Sequence, residues 1–122
     1  MVIIGAFIAD HAEARDEKLY VEGGAWAWVN LPLPPAHLVL LLDAGPDDIG
    51  RAYELLIRMI SPDGTERDIL QGTMQIEGRA MFAVMPFGFP TDTGPGRYAF
   101  QCRIAGQQTT PAVFGLEVHG HR

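Results

Sequence analysis

A single cysteine (Cys102), a single serine (Ser61) and a single lysine (Lys18) stand in a chain of 122 residues. One cysteine excludes an intrachain disulfide, so the fold has no covalent staple; it also fits a reducing compartment. The one serine sits beside Pro62 in a turn-like Ser61-Pro62-Asp63-Gly64, where no base and orienter back it as a nucleophile. There is no Gly-x-Ser-x-Gly, no phosphate-binding loop and no Gly-x-Gly-x-x-Gly opening a helix. With nine basic residues against fifteen acidic ones, a formal net charge of −6 and no basic run, the chain lacks the cations that phosphate-backbone binding draws on. An anionic membrane surface is a poor fit for the same reason. No apolar stretch approaches the ~18 residues of a membrane-spanning helix. The opening run 2–9 has no positive charge before it, so a secretory signal is not expected and the cytoplasm is the expected location.

What remains is one ordinary soluble domain over 1–122, 48% hydrophobic and 20% charged. Fourteen glycines and nine prolines are spread along it and cut it into short apolar runs. That spacing predicts an all-β, antiparallel sandwich of about 7–9 strands with little or no helix. Strands are expected at 2–9, 18–22, 25–30, 37–43, 65–71, 73–77, 79–86, 97–105 and 112–118, with a polar turn from Asp10 to Glu17. Asp63-Gly64 supplies the positive φ of a hairpin turn. Residues 97–105 alternate cleanly: Tyr98, Phe100, Cys102 and Ile104 against Arg97, Gln101 and Arg103.

Residues 49–60 read two ways. Ile49, Ala52, Tyr53, Leu56, Ile57 and Ile60 fit one face of a helix that Asp47 or Asp48 would cap. As a strand, Tyr53, Leu55, Ile57 and Met59 share a face and lead into the Asp63-Gly64 turn.

The stretch from Ile8 through Asp10, Asp16-Glu17-Lys18-Leu19, Val21 and Gly23-Gly24 to Trp26 resembles the opening of a family of small bacterial proteins of unknown function, "ADxAxxxDGKLxVxGGGW". Ile60-Ser61-Pro62-Asp63-Gly64, Gly96-Arg97-Tyr98-Ala99-Phe100, Ala105-Gly106 and Pro111-Ala112-Val113-Phe114 resemble its later motifs. Glu17 stands where the family usually has Gly, and Ala105 where it often has Asp. The resemblance implies an immunoglobulin-like sandwich and strand at 52–60. It implies no activity, cofactor or catalytic residue.

The chemistry-bearing residues have plain structural readings. Cys102 falls on the apolar face of its strand, where a thiolate is disfavoured. Asp10, His11 and Glu13, and separately His119 and His121, are too few for a zinc site, which wants three or four ligands, so neither a metal nor a cofactor is expected. Asp47-Asp48 has turn chemistry. His11 with the acidic 10–17 segment would matter catalytically only in a shared site between subunits. Trp26 and Trp28, two apart on one strand face, form either part of the core or a stacking platform for a sugar ring or base.

The strongest signal concerns association. Leu38-Val39-Leu40-Leu41-Leu42 is apolar on both faces, as is 80–87. A small sandwich covers few strands twice, so this surface is expected to meet another chain. Leu38, Leu40, Leu42, Met81, Met85 and Phe87 are the candidate interface of a homo-oligomer or of a subunit in a larger assembly. The expected protein is non-enzymatic and acts by association, with a small-ligand or glycan-binding module using Trp26 and Trp28 as the alternative.

Overall fold

The computed structural model describes residues 1–76, 78, 82–107 and 111–120. It is nearly all strand: β1 (Val2–Ala9), β2 (His11–Arg15), β3 (Lys18–Glu22), β4 (Trp28–Asn30), β5 (Ala36–Asp43), β6 (Ala52–Ile60), β7 (Glu66–Gln75), β8 (Phe82–Phe87), β9 (Gly96–Ile104) and β10 (Ala112–His119). The only helical piece among the described residues is a 3₁₀ turn at Pro46–Asp48. No helix there is long and apolar enough to cross a membrane.

The strands form a three-stranded sheet in the order β1-β5-β8, a five-stranded sheet in the order β4-β10-β9-β6-β7, and the separate hairpin β2-β3. All pairings are antiparallel except β4 with β10, which is parallel. The expected all-β sandwich is present, with ten strands among the described residues rather than 7–9, because the predicted turn at 10–17 contains a strand of its own, β2. Strands predicted separately at 65–71 and 73–77 are one, β7.

Residues 52–60 are strand. Leu55, Ile57 and Met59 face inward and pair across β9 with Ile104, Cys102 and Phe100. The helical pattern arose because Leu56 and Ile60, on the opposite face, are apolar and half-buried. The β6–β7 hairpin closes at Asp63-Gly64, where Gly64 takes φ +88° and Asp63 Oδ1 accepts a bond from the Thr65 amide at 2.9 Å.

The core lies between the two large sheets. Alternate residues of β5 (Ala36, Leu38, Leu40 and Leu42) meet Leu55, Ile57, Tyr98, Phe100, Leu116 and Val118. Phe100 stacks on Phe114 at 5.0 Å between ring centroids, and Phe87 and Phe89 close on it edge-on. This corrects the predicted interface. Leu38, Leu40, Leu42 and Phe87 are core residues of their own chain, and half-buried Met85 packs beside them. Met81 lies outside the described residues.

The reading of β5 as apolar on both faces holds, but its second cover is intramolecular. Val39, on the side away from the five-stranded sheet, is 0% exposed, and Ala9 beside it is also fully buried. The β2-β3 hairpin folds across this face: Ala12 is buried, β2 lies against β5 and β8, and the His11 ring meets the His37 ring edge-on at 4.9 Å. Its neck is pinned where the Asp10 amide donates to the Gly23 carbonyl at 3.1 Å and the Trp26 amide to that of Ile8 at 3.2 Å. Gly23, at φ +58°, has no room for a Cβ against the Asp10 carboxylate.

Candidate ligand site

Trp26 and Trp28 do not share a face. Ala25 takes φ +56°, which breaks the predicted strand 25–30, and β4 begins only at Trp28. Trp26 is half-buried and packs against the core. Trp28 stands on the outer face of the five-stranded sheet, 58% exposed. The alternation argument failed because the chain changes sheets between the two: the Trp26 amide bonds to Ile8 of β1, whereas the Ala27 carbonyl accepts from Glu117 of β10.

The parallel pairing of β4 with β10 sets Trp28 against Glu117 and Asn30 against His119. All four point outward, since Leu116 and Val118 take the inward positions. The Trp28 indole stacks on the His119 imidazole, with centroids 5.3 Å apart and planes 9° from parallel. His119 Nε2 lies 3.1 Å from Glu117 Oε1, a contact that also holds the imidazole in place. An exposed indole is thus fixed on one side by a ring that is itself anchored.

Beside it opens a cleft of about 880 Å³, lined by Asn30, Leu31, Gly96, Arg97, Glu117, Val118, His119 and Gly120. It lies where the end of β4, the start of β9 and the end of β10 converge. Antiparallel pairing of β9 with β10 places Arg97 opposite Glu117. The Arg97 guanidinium reaches across β10 to within 3.7 Å of the point a Cβ on Gly115 would occupy, so the absence of a side chain there lets it lie along the sheet. The cleft therefore combines a cation, a carboxylate, an amide and the imidazole on which Trp28 stacks.

Of these residues the sequence singled out Trp28, and His119 only as a metal ligand. Asn30, Arg97 and Glu117 were missed, because the strand pairing that gathers them has no local signature. Among the described residues no cluster of three metal-ligating side chains occurs. His121 lies outside them, and His11 meets His37 rather than Asp10 or Glu13.

Two other features complete the inventory. Cys102 is fully buried on the inner face, and burial pushes its thiol pKa up to about 12. Asp48 is an anchor: its carboxylate accepts bonds from the Tyr53 hydroxyl, the Met1 ammonium at 2.9 Å and the Gly45 amide at 2.7 Å. The Tyr53 bond first, then the other two, hold its carboxyl well below the usual carboxylate range.

No curated protein and no solved structure matches the chain. A family model, the family of unknown function DUF6941, matches residues 4–116. That match runs from within β1 to within β10, and the chain belongs to this family.

Proposed function

We propose that this protein is a non-enzymatic β-sandwich binding module that takes a small, ring-bearing ligand such as a sugar on the Trp28 shelf. The supporting observation is an indole left 58% exposed yet held by His119 at the margin of a polar cleft. An indole in water forfeits the stabilisation of burial. Covering roughly half of its ~250 Å² at about 25 cal/mol per Å² returns about 3 kcal/mol. Stacking of that size supports dissociation constants on the order of several millimolar, as suits a sugar. The buried lone thiol and the acidic charge go with a cytoplasmic protein that binds neither nucleic acid nor membrane.

The test is NMR of the two indole N–H signals, titrated with neutral monosaccharides. The Trp28 signal moves saturably, the Trp26 signal does not, and Trp28→Ala abolishes binding with the fold intact. An unmoved Trp28 signal across sugars and nucleosides would overturn the reading.

Self-association is the second reading, now from a different surface. Among the described residues β5 is the one strand that pairs with β1, and the irregularity of β1 between Ile3 and Gly5 leaves Ile4 66% exposed beside exposed Val2. Native mass spectrometry decides it: a discrete multiple of 13.3 kDa, reduced to monomer by Ile4→Lys, supports it. A bare monomer sinks it.

A further inference from the structure

We infer that His11 and His37 form a binding site for a divalent transition ion of the zinc type, which clamps the β2-β3 hairpin onto the three-stranded sheet. The inference goes beyond the Trp28 reading and does not depend on it. Three observations carry it. First, His37 Nδ1 is buried without a hydrogen-bond partner, the sole side-chain atom in that condition among the described residues. The cross-strand neighbours of His37 are Ala9 on β1 and Pro86 on β8, whose side chains carry no polar group. Buried polar atoms nearly always have a partner, so an orphaned ring nitrogen points to a ligand that bonds it. Second, the ring that meets His37 is another imidazole. The His11 centroid lies 4.9 Å from that of His37, with the planes at 83°. Two imidazoles bonded to one tetrahedral ion at about 2.05 Å have centroids about 5 Å apart, so the pair stands at the separation a shared ion sets. Third, an anionic ligand is at hand. Glu22 is directly opposite His11 in the β2–β3 register, so both side chains leave one face of the hairpin with Cβ atoms about 5 Å apart. Its carboxylate holds no cation among the described residues.

The donor set selects the ion. Imidazole suits zinc, copper and nickel, whereas calcium and magnesium take oxygen ligands. Among the described residues no third ligating side chain already stands with the pair, so Glu22 joins on binding. Two imidazoles and one carboxylate then leave a tetrahedral ion one position for water. His11 and Glu22 are exposed, so both turn to the ion without repacking the core, while His37 stays where β5 holds it. The ligands come from β2, β3 and β5, so the ion ties both strands of the hairpin to the sheet. Under that hairpin lie Val39 and Ala9, both fully buried. Ion binding is therefore linked to the closing of this apolar face.

The experiment adds Zn²⁺ to metal-free, ¹⁵N-labelled protein at fixed pH and follows the imidazole nitrogens, with Tm and amide exchange alongside. The His11 and His37 ring signals are expected to move together with one ion bound, and that of His119 to stay put. At about ten times the dissociation constant, Zn²⁺ should raise Tm by about 5 °C and slow amide exchange across β2 and β3. Mg²⁺ at the same concentration should move neither ring. His11→Gln, at an exposed position, keeps the fold and should weaken binding at least about tenfold, and Glu22→Gln should weaken it by less. His37→Gln should abolish the shift of the His11 ring.

Undiminished Zn²⁺ affinity in His11→Gln, a shift of the His119 ring alone, or equal binding of Mg²⁺ overturns the inference. So does saturation with Zn²⁺ that leaves exchange in the hairpin unchanged, since the ion would then not be a clamp. The sugar titration of Trp28 is untouched by any of these outcomes.

Discussion

Replacing Val39 by alanine should destabilise the protein as a core truncation does, although Val39 faces away from the core. The reasoning is geometric. Leu38 and Leu40 point between the two large sheets, so Val39 points to the other side of β5, and there it is 0% exposed. Among the described residues the β2-β3 hairpin lies over that side and excludes water. Valine to alanine removes two methyl groups at about 0.8 kcal/mol each, plus a cavity contribution, giving about 1.5–3 kcal/mol. Leu40→Ala on the inner face should cost about 2–5 kcal/mol. Val113, 59% exposed on β10, is the matched control: the same change there should cost under about 1 kcal/mol, mostly strand preference.

Against a total stability of about 5–15 kcal/mol these differences are large. At about 4 °C per kcal/mol for a domain of this length, Val39→Ala should lower Tm by roughly 6–12 °C. Urea unfolding, followed by tryptophan fluorescence and far-UV circular dichroism, measures all three variants. A Val39→Ala cost within ~0.5 kcal/mol of that of Val113→Ala would refute the argument. The hairpin would then be detached in solution, the outer face of β5 open, and a hydrophobic dye should bind the wild-type protein.

Three further predictions follow from local chemistry. Asp16 and Glu17 turn the β2-β3 hairpin with φ of +50° and +62°, a conformation that costs an L-residue about 1 kcal/mol, so Glu17→Gly should raise stability by about 0.5–1 kcal/mol in the same urea assay, and a loss would contradict the strain argument. Cys102, buried with its thiol pKa pushed up to about 12, should react with a disulfide reagent at pH 8 only as fast as the protein opens; rapid stoichiometric labelling of the folded protein would show that β9 is not sealed. Asp48 is held below its ordinary pKa of 3.8, so its stabilisation is full above about pH 4 and declines as pH falls towards the folded value. The stability gap between wild type and Asp48→Asn should therefore narrow below pH 4, and a gap unchanged from pH 6 to pH 2.5 would refute the linkage.

The fold was legible where a signal is local. Alternation in 97–105, the bounded run 112–118, glycine at Asp63-Gly64 and the apolar run 37–43 each depend on a few adjacent residues, and each lands within a residue or so of β9, β10, the β6–β7 turn and β5. Two kinds of error have physical causes. Segment 10–17 read as a turn because His11, Glu13 and Arg15 are polar; the strand signal rested on Ala12 alone, buried among exposed neighbours. Missing that hairpin left β5 without its second cover and assigned Leu38, Leu40 and Leu42 to a partner chain. The Trp26–Trp28 expectation failed because the chain passes from β1 to β10 between Trp26 and Ala27, a crossing that nothing in an Ala-Trp-Ala-Trp sequence announces.

The candidate site was nearly invisible for a deeper reason. Its residues reach one another only through two strand pairings, β4 parallel to β10 and β10 antiparallel to β9. A slip of one residue in either register would send a strand's side chains to the opposite face. What holds the β9–β10 register is the apolar side of the sheet: Phe100 opposite Phe114 and Tyr98 opposite Leu116 leave Arg97 and Glu117 no choice but to face out side by side. Val118 opposite Val29 does the same for Trp28 and His119. The polar face is therefore a consequence of core packing, and a core change such as Leu116→Ala should loosen the Trp28–His119 stack without touching either ring. Reading such a site from sequence requires the inward pattern of three strands first and their pairing second; only then do the outward residues acquire neighbours.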